Sequence, residues 1–452
     1  MFSKILIANR GEVALRVIRS ARELGVATVA VYSQADVASR PVREADEAVC
    51  IGPAASAQSY LNQTAIIMAA LTTGAEAIHP GYGFLAENAD FAALCADEGL
   101  VFIGPSPDAI ARMGNKNVAR QTATDAGVPT VPGSDGALES AEEALMVAEK
   151  IGYPVLVKAS AGGGGKGMRL AEESDLLPHQ FVAAKTEAKA AFGDDTVYLE
   201  KYLGRPKHIE IQILVDRDGR GVYLFERDCS VQRRHQKLIE EAPSSVLTPQ
   251  LREEMGQAAL RLAATVGYEG AGTVEFLYDD SGSVPRFYFM EMNTRVQVEH
   301  PVSEQITGVD IIAAQIRIAA GQPLGITQDD LRLTSHAIEF RINAEDPAAG
   351  FRPSPGIATK FVPPGGFGIR VDTHLETGAS VPPYYDSLIA KLIVSGRTRF
   401  ETIARARRAL AEFEVEGLAT TIDFHRSVLE VPAFVAGDYR TDFIEEEMPE
   451  LG

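Results

Sequence analysis

Glu275 and Glu291 lie in two strand-like segments, Gly272–Tyr278 (GTVEFLY) and Arg286–Met292 (RFYFMEM), that flank a turn-like DDSGSVP. Folding this hairpin about residue 283 sets Glu275 opposite Glu291, where directly opposed side chains lie ~5 Å apart. Asn293 follows Glu291 by two residues and falls on the same face. Facing carboxylates repel unless one holds a proton or a cation lies between them. Two Glu and one Asn, hard oxygen donors with no Cys or His among them, suit Mg²⁺ or Mn²⁺ held jointly with substrate phosphates. The alternative is a solvated acidic pair on a hairpin surface.

A second group is the glycine run Ser160–Gly167 (SAGGGGKG). Gly162, Gly164 and Gly167 satisfy GxGxxG, but the MRLA that follows is β-like, whereas a dinucleotide fingerprint opens a helix. The Walker A pattern fails as well, with Ser160 where it needs Gly and Gly167 where it needs Ser or Thr. What remains is a loop joining two strands, bracketed by Lys158 and Lys166. Its backbone N–H groups can approach phosphate oxygens closely while the lysines supply charge. A plain surface turn is the alternative.

The third group follows the acids directly. If Asn293–His300 (NTRVQVEH) is strand-like, Asn293, Arg295, Gln297 and Glu299 share one face. Arg295 can then fork two N–H donors onto a small planar oxyanion, and Glu299 can act as a general base. Glu226–Lys237 (ERDCSVQRRHQK) adds Arg227, Arg233, Arg234, His235 and Lys237, or else forms a solvated basic stripe. Arg341, in the apolar stretch HAIEFRINAED, wants an anionic partner. A structural salt bridge would satisfy it equally.

These groups need elements to hold them. Lys4–Ala8, a helical pattern over Gly11–Leu24 and the β-branched run Val26–Tyr32 form a βαβ unit, which implies a parallel sheet covered by helices. The alternation continues through Ala77–Ile78, a helix near Asn88–Glu98 and Leu100–Ile103. Gly127–Gly136 (GVPTVPGSDG) reads as a linker. A small α/β module follows, with strands Pro154–Lys158, Met168–Ala171 and Thr196–Tyr202. Beyond Gly204 the expected strands are denser: Ile209–Val215, Val222–Asp228, the acidic hairpin, Ser335–Asn343, Gly356–Val362 and Leu388–Gly396. An Arg-rich helix is expected at Phe400–Phe413.

Composition sets the outer bounds. With 46% hydrophobic and 23% charged residues, the 452-residue chain is globular, and its length suits two to four domains. Sixty-two acidic against 43 basic residues give a net charge of −19. That field opposes nucleic acid and anionic membrane as partners, though a local cationic pocket still admits a small anion. Cys50, Cys95 and Cys229 are an odd, sparse set with no CxxC pair, which argues against a disulfide framework or zinc knuckle and fits a reducing cytoplasm. Arg10, Glu12 and Arg16 interrupt what a signal peptide would need as an apolar run, and no stretch reaches the ~18 apolar residues of a membrane span. A soluble, cytoplasmic protein is expected.

In order, KILIANRGEVALRVIR, AIHPGYGFLAEN, FIGP, SAGGGGKGM, KHIEIQI, ERDCSVQRRHQK, GAGTVEF, FMEMNTRVQVEHPVSE and RINAEDP resemble the biotin carboxylase family of ATP-grasp enzymes over essentially the whole chain. The resemblance implies an α/β fold in three parts. These are a doubly wound N-terminal domain (residues 1–114), a linker and small α/β lid (115–203), and a mixed α+β C-terminal part (204–452). Lys116, Lys158 and the Gly164–Gly165 backbone would hold ATP phosphates. Glu200, Lys201 and Leu203 would line the adenine pocket, with Leu277 also at the nucleotide and His208, Gln232 and His235 near the ribose. Glu275 and Glu291, with Asn293, would hold two divalent ions against the nucleotide. Lys237, Arg295, Gln297 and Val298 would cradle bicarbonate, and Glu299 would deprotonate it. Arg341 would stabilise the biotin enolate, with Tyr82, Gly83 and His208 near the biotin ring.

The reaction so implied is ATP- and bicarbonate-dependent carboxylation of biotin through carboxyphosphate, the first half-reaction of an acetyl-CoA or other acyl-CoA carboxylase. ATP, Mg²⁺ or Mn²⁺ and carrier-borne biotin would be its cofactors. No Met-Lys-Met attachment sequence and no transferase-length extension are present. A biotin carboxyl carrier protein and a carboxyltransferase subunit are therefore expected as separate partners, and the resemblance suggests a homodimer. Another ATP-grasp ligase, such as a carbamoyl-phosphate enzyme, would share the nucleotide groups but not Arg295–Glu299 and Arg341. A catalytically silent nucleotide-binding module would have no need of the base and the paired acids.

Overall fold

The computed structural model describes residues 1–159 and 168–451. Short apolar runs near the N-terminus form β1 (Lys4–Ile7), β2 (Ala27–Ser33), β3 (Glu47–Gly52), β4 (Ala77–His79) and β5 (Val101–Phe102). They pair in parallel in the order β3-β2-β1-β4-β5. The helix Gly11–Glu23 buries Val13, Ala14, Val17 and Ile18, as its spacing predicts. Strand order reverses between β1 and β4, and such a switch point opens a crevice beyond the carboxyl ends of the strands. Asn9–Glu12 after β1 and Tyr82–Phe84 after β4 line that crevice.

The small module is an antiparallel sheet of β6 (Val155–Ala159), β7 (Met168–Ala171) and β8 (Val197–Lys201), in the order β7-β6-β8. Helices Ala141–Ile151 and Leu177–Phe192 share a core with its strands, including Ala144, Val157, Phe181 and Leu199. Lys158 pairs with Met168, so the glycine run joins two antiparallel strands, as expected. The run itself, with Gly164, Gly165 and Lys166, lies outside the described residues. The linker before this module is pinned rather than free. Phe289 N donates to Pro129 O (2.7 Å), Lys201 N to Pro132 O (2.7 Å) and Ser134 N to Leu199 O (2.8 Å). A Cβ at Gly133 would stand 2.4 Å from Leu199 O, so only glycine fits there.

The remaining long strands are β9 (Lys207–Val215), β10 (Gly221–Arg233), β11 (Gln236–Ala242), β12 (Gly270–Asp279), β13 (Arg286–Asn293), β14 (His336–Asn343), β15 (Ile369–Thr373) and β16 (Leu388–Gly396). They make one eight-stranded antiparallel sheet in the order β13-β12-β9-β10-β11-β14-β16-β15. Pairing of β11 with β14, Glu240 opposite Glu339, draws Arg341 towards residues about a hundred positions earlier in the chain. Two expectations are corrected. Residues 294–299 are bends and a turn, not a strand, because β13 ends at Asn293 and a helix begins at His300. Gly356–Val362 divides into Gly356–Ile357, paired with Ser380–Val381, and Lys360–Val362, paired with Glu414–Glu416. Among the described residues, no helix is long and apolar enough to cross a membrane.

The sheet buries charge as well as apolar surface. Lys207 and Asp228 are both fully enclosed at 3.0 Å. Ser230 and Ser244 hydroxyls also donate to Asp228, and Tyr439 covers the ammonium with its ring centroid 3.7 Å away. Removing one partner of such a pair leaves an uncompensated buried ion. Asp228→Ala is expected to lower stability by about 3–5 kcal/mol, read from the urea midpoint. Glu430→Ala, which breaks the exposed Arg407 pair, should cost under about 1 kcal/mol.

Candidate active site

The acidic hairpin forms as predicted, with Glu275 in register with Glu291, but one irregularity makes it possible. From Asp279/Arg286 to Phe276/Phe289 the strands pair regularly, and a bulge then admits Met290 as an extra residue. Simple alternation from the buried Phe289 would turn Glu291 into the apolar core. The bulge instead leaves both Met290 and Glu291 on the cleft side and returns Met292 to the core. Bulges of this kind re-aim side chains. Asn293 Nδ2 donates to Glu275 Oε1 (3.0 Å), so all three predicted oxygen ligands face one space. Gln232 Nε2 donates to His208 Nδ1 (2.8 Å), leaving His208 Nε2 as the N–H nitrogen 2.8 Å from Glu275 Oε2. A His thus joins the acids, whereas the resemblance placed His208 near the ribose and the biotin ring.

Lys237 stands at the centre of the charge. Its Nζ lies 2.6 Å from Glu210, 2.9 Å from Glu275 and 2.7 Å from Glu299. Arg341 Nε donates to Glu240 (2.6 Å) and a terminal nitrogen to Glu299 Oε2 (2.9 Å). Burial would raise Glu299, but Lys237, Arg341 and Arg227 outweigh it and hold that carboxyl well below the usual range. Burial opposes ionisation of Glu275 too, yet Lys237 and His208 keep it well below normal. Glu291 is raised by desolvation in the cleft and by facing Glu275. No hydrogen bond or ion pair among the described residues engages it. Burial, opposed by Arg341 and reinforced by Glu299, lifts Glu240 to about 7.

The Glu226–Lys237 segment is not a solvated stripe. Arg227 is fully buried, paired with Glu210 and bonded to Gln212 (2.7 Å), Thr273 (3.0 Å), Gln297 (2.8 Å) and Ser303 (3.0 Å). Only Arg234 and His235 form the exposed turn between β10 and β11, at φ of 50° and 65°. Such values cost a residue with a side chain about 1–3 kcal/mol and cluster at functional sites. Although residues 294–299 are not a strand, Arg295, Gln297, Val298 and Glu299 all line the cleft. Arg295 is held by Glu87 (2.9 Å) and by Asn293 Oδ1 (2.9 Å). Glu299 sits at the N-cap of the helix His300–Thr307, where the helix dipole favours its charge.

The cleft, about 920 Å³, also takes in Tyr82, Gly83, His208, Gln232, His235, Lys237, Glu275, Glu291, Asn293 and Arg341. Lys116, Lys158, Glu200, Lys201, Leu203 and Leu277 do not line it. Lys116 is exposed at the start of the helix Lys116–Asp125. On the small module Glu200 is bound by Lys158 (2.8 Å) and Arg120 (2.9 Å), while Lys201 caps the carbonyls of Gly152 and Tyr153. Leu203 and Leu277 are half-buried, Leu277 paired with His208 across β9 and β12. Sequence reasoning missed Glu87, Glu210 and Glu240. Glu210 had a signal, standing two residues from His208 in KHIEIQI; Glu240 had none, because pairing with β14 selects it.

An open parallel sheet, a small antiparallel module and a large antiparallel sheet around paired acids define an ATP-grasp ligase. Residues 1–110 match the model of the biotin carboxylase N-terminal domain, and 115–327 the carbamoyl-phosphate synthase L chain ATP binding domain. Residues 339–446 match the biotin carboxylase C-terminal domain. The chain is 58% identical over 445 residues to a biotin carboxylase of Nostoc sp., covering 98% of this chain and 99% of that one. It is 56% identical over 445 residues to biotin carboxylase 1 of Bacillus subtilis, covering 98% of each. A solved dimer of the biotin carboxylase domain of Hydrogenobacter thermophilus 2-oxoglutarate carboxylase, in complex with MgADP, ADP and bicarbonate, superposes with a TM-score of 0.90. It is 50% identical, covering 100% of this chain and 99% of that chain. The chain belongs to the biotin carboxylase family.

Removing Lys237 tests the electrostatics directly. In the native protein the depressed Glu299 and Glu275 contribute stability above their ordinary pKa, lost only as pH falls through the depressed values. In Lys237→Met the main opposing cation is gone and burial raises both groups. The folded state then takes up protons, and its stability rises as pH falls. The loss relative to the native protein is expected to be larger at pH 8 than at pH 6, by urea midpoints. Equal losses would show that Lys237 does not govern these carboxyls.

Proposed function

We propose that the cleft performs this family's reaction, ATP- and bicarbonate-dependent carboxylation of biotin, on biotin borne by a separate carrier protein. The observation that carries the reading is Glu299 held between Lys237 and Arg341, with the Glu275–Glu291 pair alongside. A base, two cations and paired acids in one recess suit phosphoryl transfer to a small anion followed by handling of a second anion.

Glu275, Glu291 and Asn293 are oxygen donors on one face, and among the described residues no hydrogen bond or ion pair engages Glu291, so the set fits Mg²⁺ or Mn²⁺. These residues would hold the ions, which supply charge neutralisation for the transferring phosphoryl group. Lys237, Arg295, Gln297 and the Val298 backbone bind bicarbonate. On entering, bicarbonate takes over part of the Lys237 hydrogen bonding, and Glu299 becomes basic enough to remove the proton. The resulting oxyanion attacks the γ-phosphorus, ADP leaves and carboxyphosphate forms. It breaks down to CO₂ and phosphate, which accepts the ureido N–H proton of biotin, and the enolate attacks CO₂. Arg341 faces the enolate oxygen, with Tyr82, Gly83 and His208 beside the ring. Lys116, Lys158, Gly164 and Gly165 hold phosphates; Glu200, Lys201, Leu203 and Leu277 meet the adenine; Gln232, His235 and His208 approach the ribose. The residues on the small module reach the nucleotide as it closes over the cleft, excluding water that would hydrolyse carboxyphosphate.

A biotin carboxyl carrier protein and a carboxyltransferase are the partners of this reading, the latter choosing the final acceptor. A homodimer is supported by the dimer of the Hydrogenobacter relative. The free cysteines Cys50, Cys95 and Cys229 suit a cytoplasmic setting.

ADP release is expected to require bicarbonate and to rise with free biotin. Glu299→Ala should lower it at least about 100-fold with the fold intact; near-native rates would refute the base. Arg341→Ala should abolish carboxybiotin formation. Lys237→Ala should chiefly weaken bicarbonate use, and an unchanged bicarbonate KM and kcat would exclude it from the cradle.

A further inference from the structure

Lys391 takes no part in the steps above, yet it is fully buried at the meeting of their two ends. It lies on β16, directly opposite Arg341 of β14 and Asp372 of β15. Its ammonium donates to the Val298 carbonyl (2.8 Å) and lies 3.2 Å from Glu12 Oε1. The same Glu12 oxygen accepts the hydroxyl of Tyr82. Glu12 belongs to the first turn of the helix Gly11–Glu23, and Tyr82 to the turn after β4. One cation therefore joins the peptide preceding Glu299 to a side chain on the opposite wall of the cleft.

Residues 294–299 have no strand pairing and are held by side-chain bonds, Thr294 N and Arg295 to Glu87 and Gln297 to Arg227, and the Lys391 bond falls on the peptide unit that delivers Glu299. The Tyr82 carbonyl accepts from Asn9 Nδ2 (2.7 Å), while its hydroxyl is placed by Glu12. A displacement of ~1 Å at a reacting group can cost on the order of 100-fold in rate.

We propose that Lys391 is a positioning residue that fixes the bicarbonate end of the cleft, Val298–Glu299, and the biotin end, Tyr82, in one geometry through Glu12. This rests on the bicarbonate and biotin assignments made above. A lysine that merely neutralises Glu12 and the buried Glu339 would serve folding without linking the two substrates.

The test measures bicarbonate-dependent ATP cleavage with and without free biotin for Lys391→Met, Tyr82→Phe, the double variant and Lys391→Arg. Lys391→Met is expected to raise both the bicarbonate KM and the biotin KM about tenfold or more. In the double variant the biotin KM should be no higher than in Lys391→Met alone, because Glu12, which holds the Tyr82 hydroxyl, has already lost its own anchor. Lys391→Arg should recover most of the loss. Biotin KM effects that multiply in the double variant, or kcat and both KM values unchanged in Lys391→Met, would overturn the proposal. If Lys391→Met does not fold, Glu12→Met, which keeps most of the side-chain volume but removes the acceptor shared by Lys391 and Tyr82, must raise both KM values; unchanged values overturn it. Native protein that cleaves ATP without regard to bicarbonate or biotin would refute the functional assignment and the proposal together, whereas a normal native response with independent variants refutes the Lys391 role alone.

Discussion

One ammonium among three carboxylates is the constraint on which the rest depends. Lys237 cannot be withdrawn from Glu210, Glu275 and Glu299 without leaving buried anions facing one another. Its partners come from β9, β12 and the turn before His300, so those elements must converge for the charge to be satisfied. The same pattern continues outward through Arg227 against Glu210, Arg341 against Glu240 and Glu299, and Lys391 against Glu12. Burial and the facing Glu240 push Glu339 well above the usual carboxyl range despite Lys391, and both of its oxygens lack hydrogen-bond partners among the described residues.

That arrangement is poised for anions to enter. The cations that would meet bicarbonate are bonded to the protein's own acids: Arg295 to Glu87 and Lys237 to Glu299. An entering anion would exchange places with a carboxylate partner instead of requiring a bare buried charge. The net charge of −19 therefore poses no barrier, since the local potential is set by contacts of about 3 Å and more distant charges are screened. Two backbone devices direct these side chains. The bulge at Met290 turns Glu291 to the cleft, and the strand-order reversal beside β1 supplies the opposite wall.

Much of this was legible in the residues. The βαβ alternation, the strands Met168–Ala171 and Leu388–Gly396 and the Glu275–Glu291 pairing follow from periodicity and turn chemistry, all local in sequence. The strand expected over 294–299 was not found, though its residues reach the cleft; alternating polar side chains cannot distinguish a strand from an extended turn entering a helix. The basic run Glu226–Lys237 read equally well as surface or site, because composition does not say that Arg227 would have five acceptors around it. Gly356–Val362 divided because its two halves find different partner strands, a choice invisible locally.

By itself the sequence determined the chemical vocabulary: the paired acids, the base, the forked cations and the glycine run, each carried by a short segment whose spacing encodes its local geometry. Tertiary structure alone decided the charge state and the company of those groups. Glu299 is depressed because Arg341, brought in by β14, and Lys237, from β11, both reach it. Glu240, Glu12 and Lys391 matter because strands and a helix far apart in the chain place them at hydrogen-bond distance. Electrostatic interaction and desolvation depend on separation in space and on burial, and neither is fixed until the sheets have closed around the cleft.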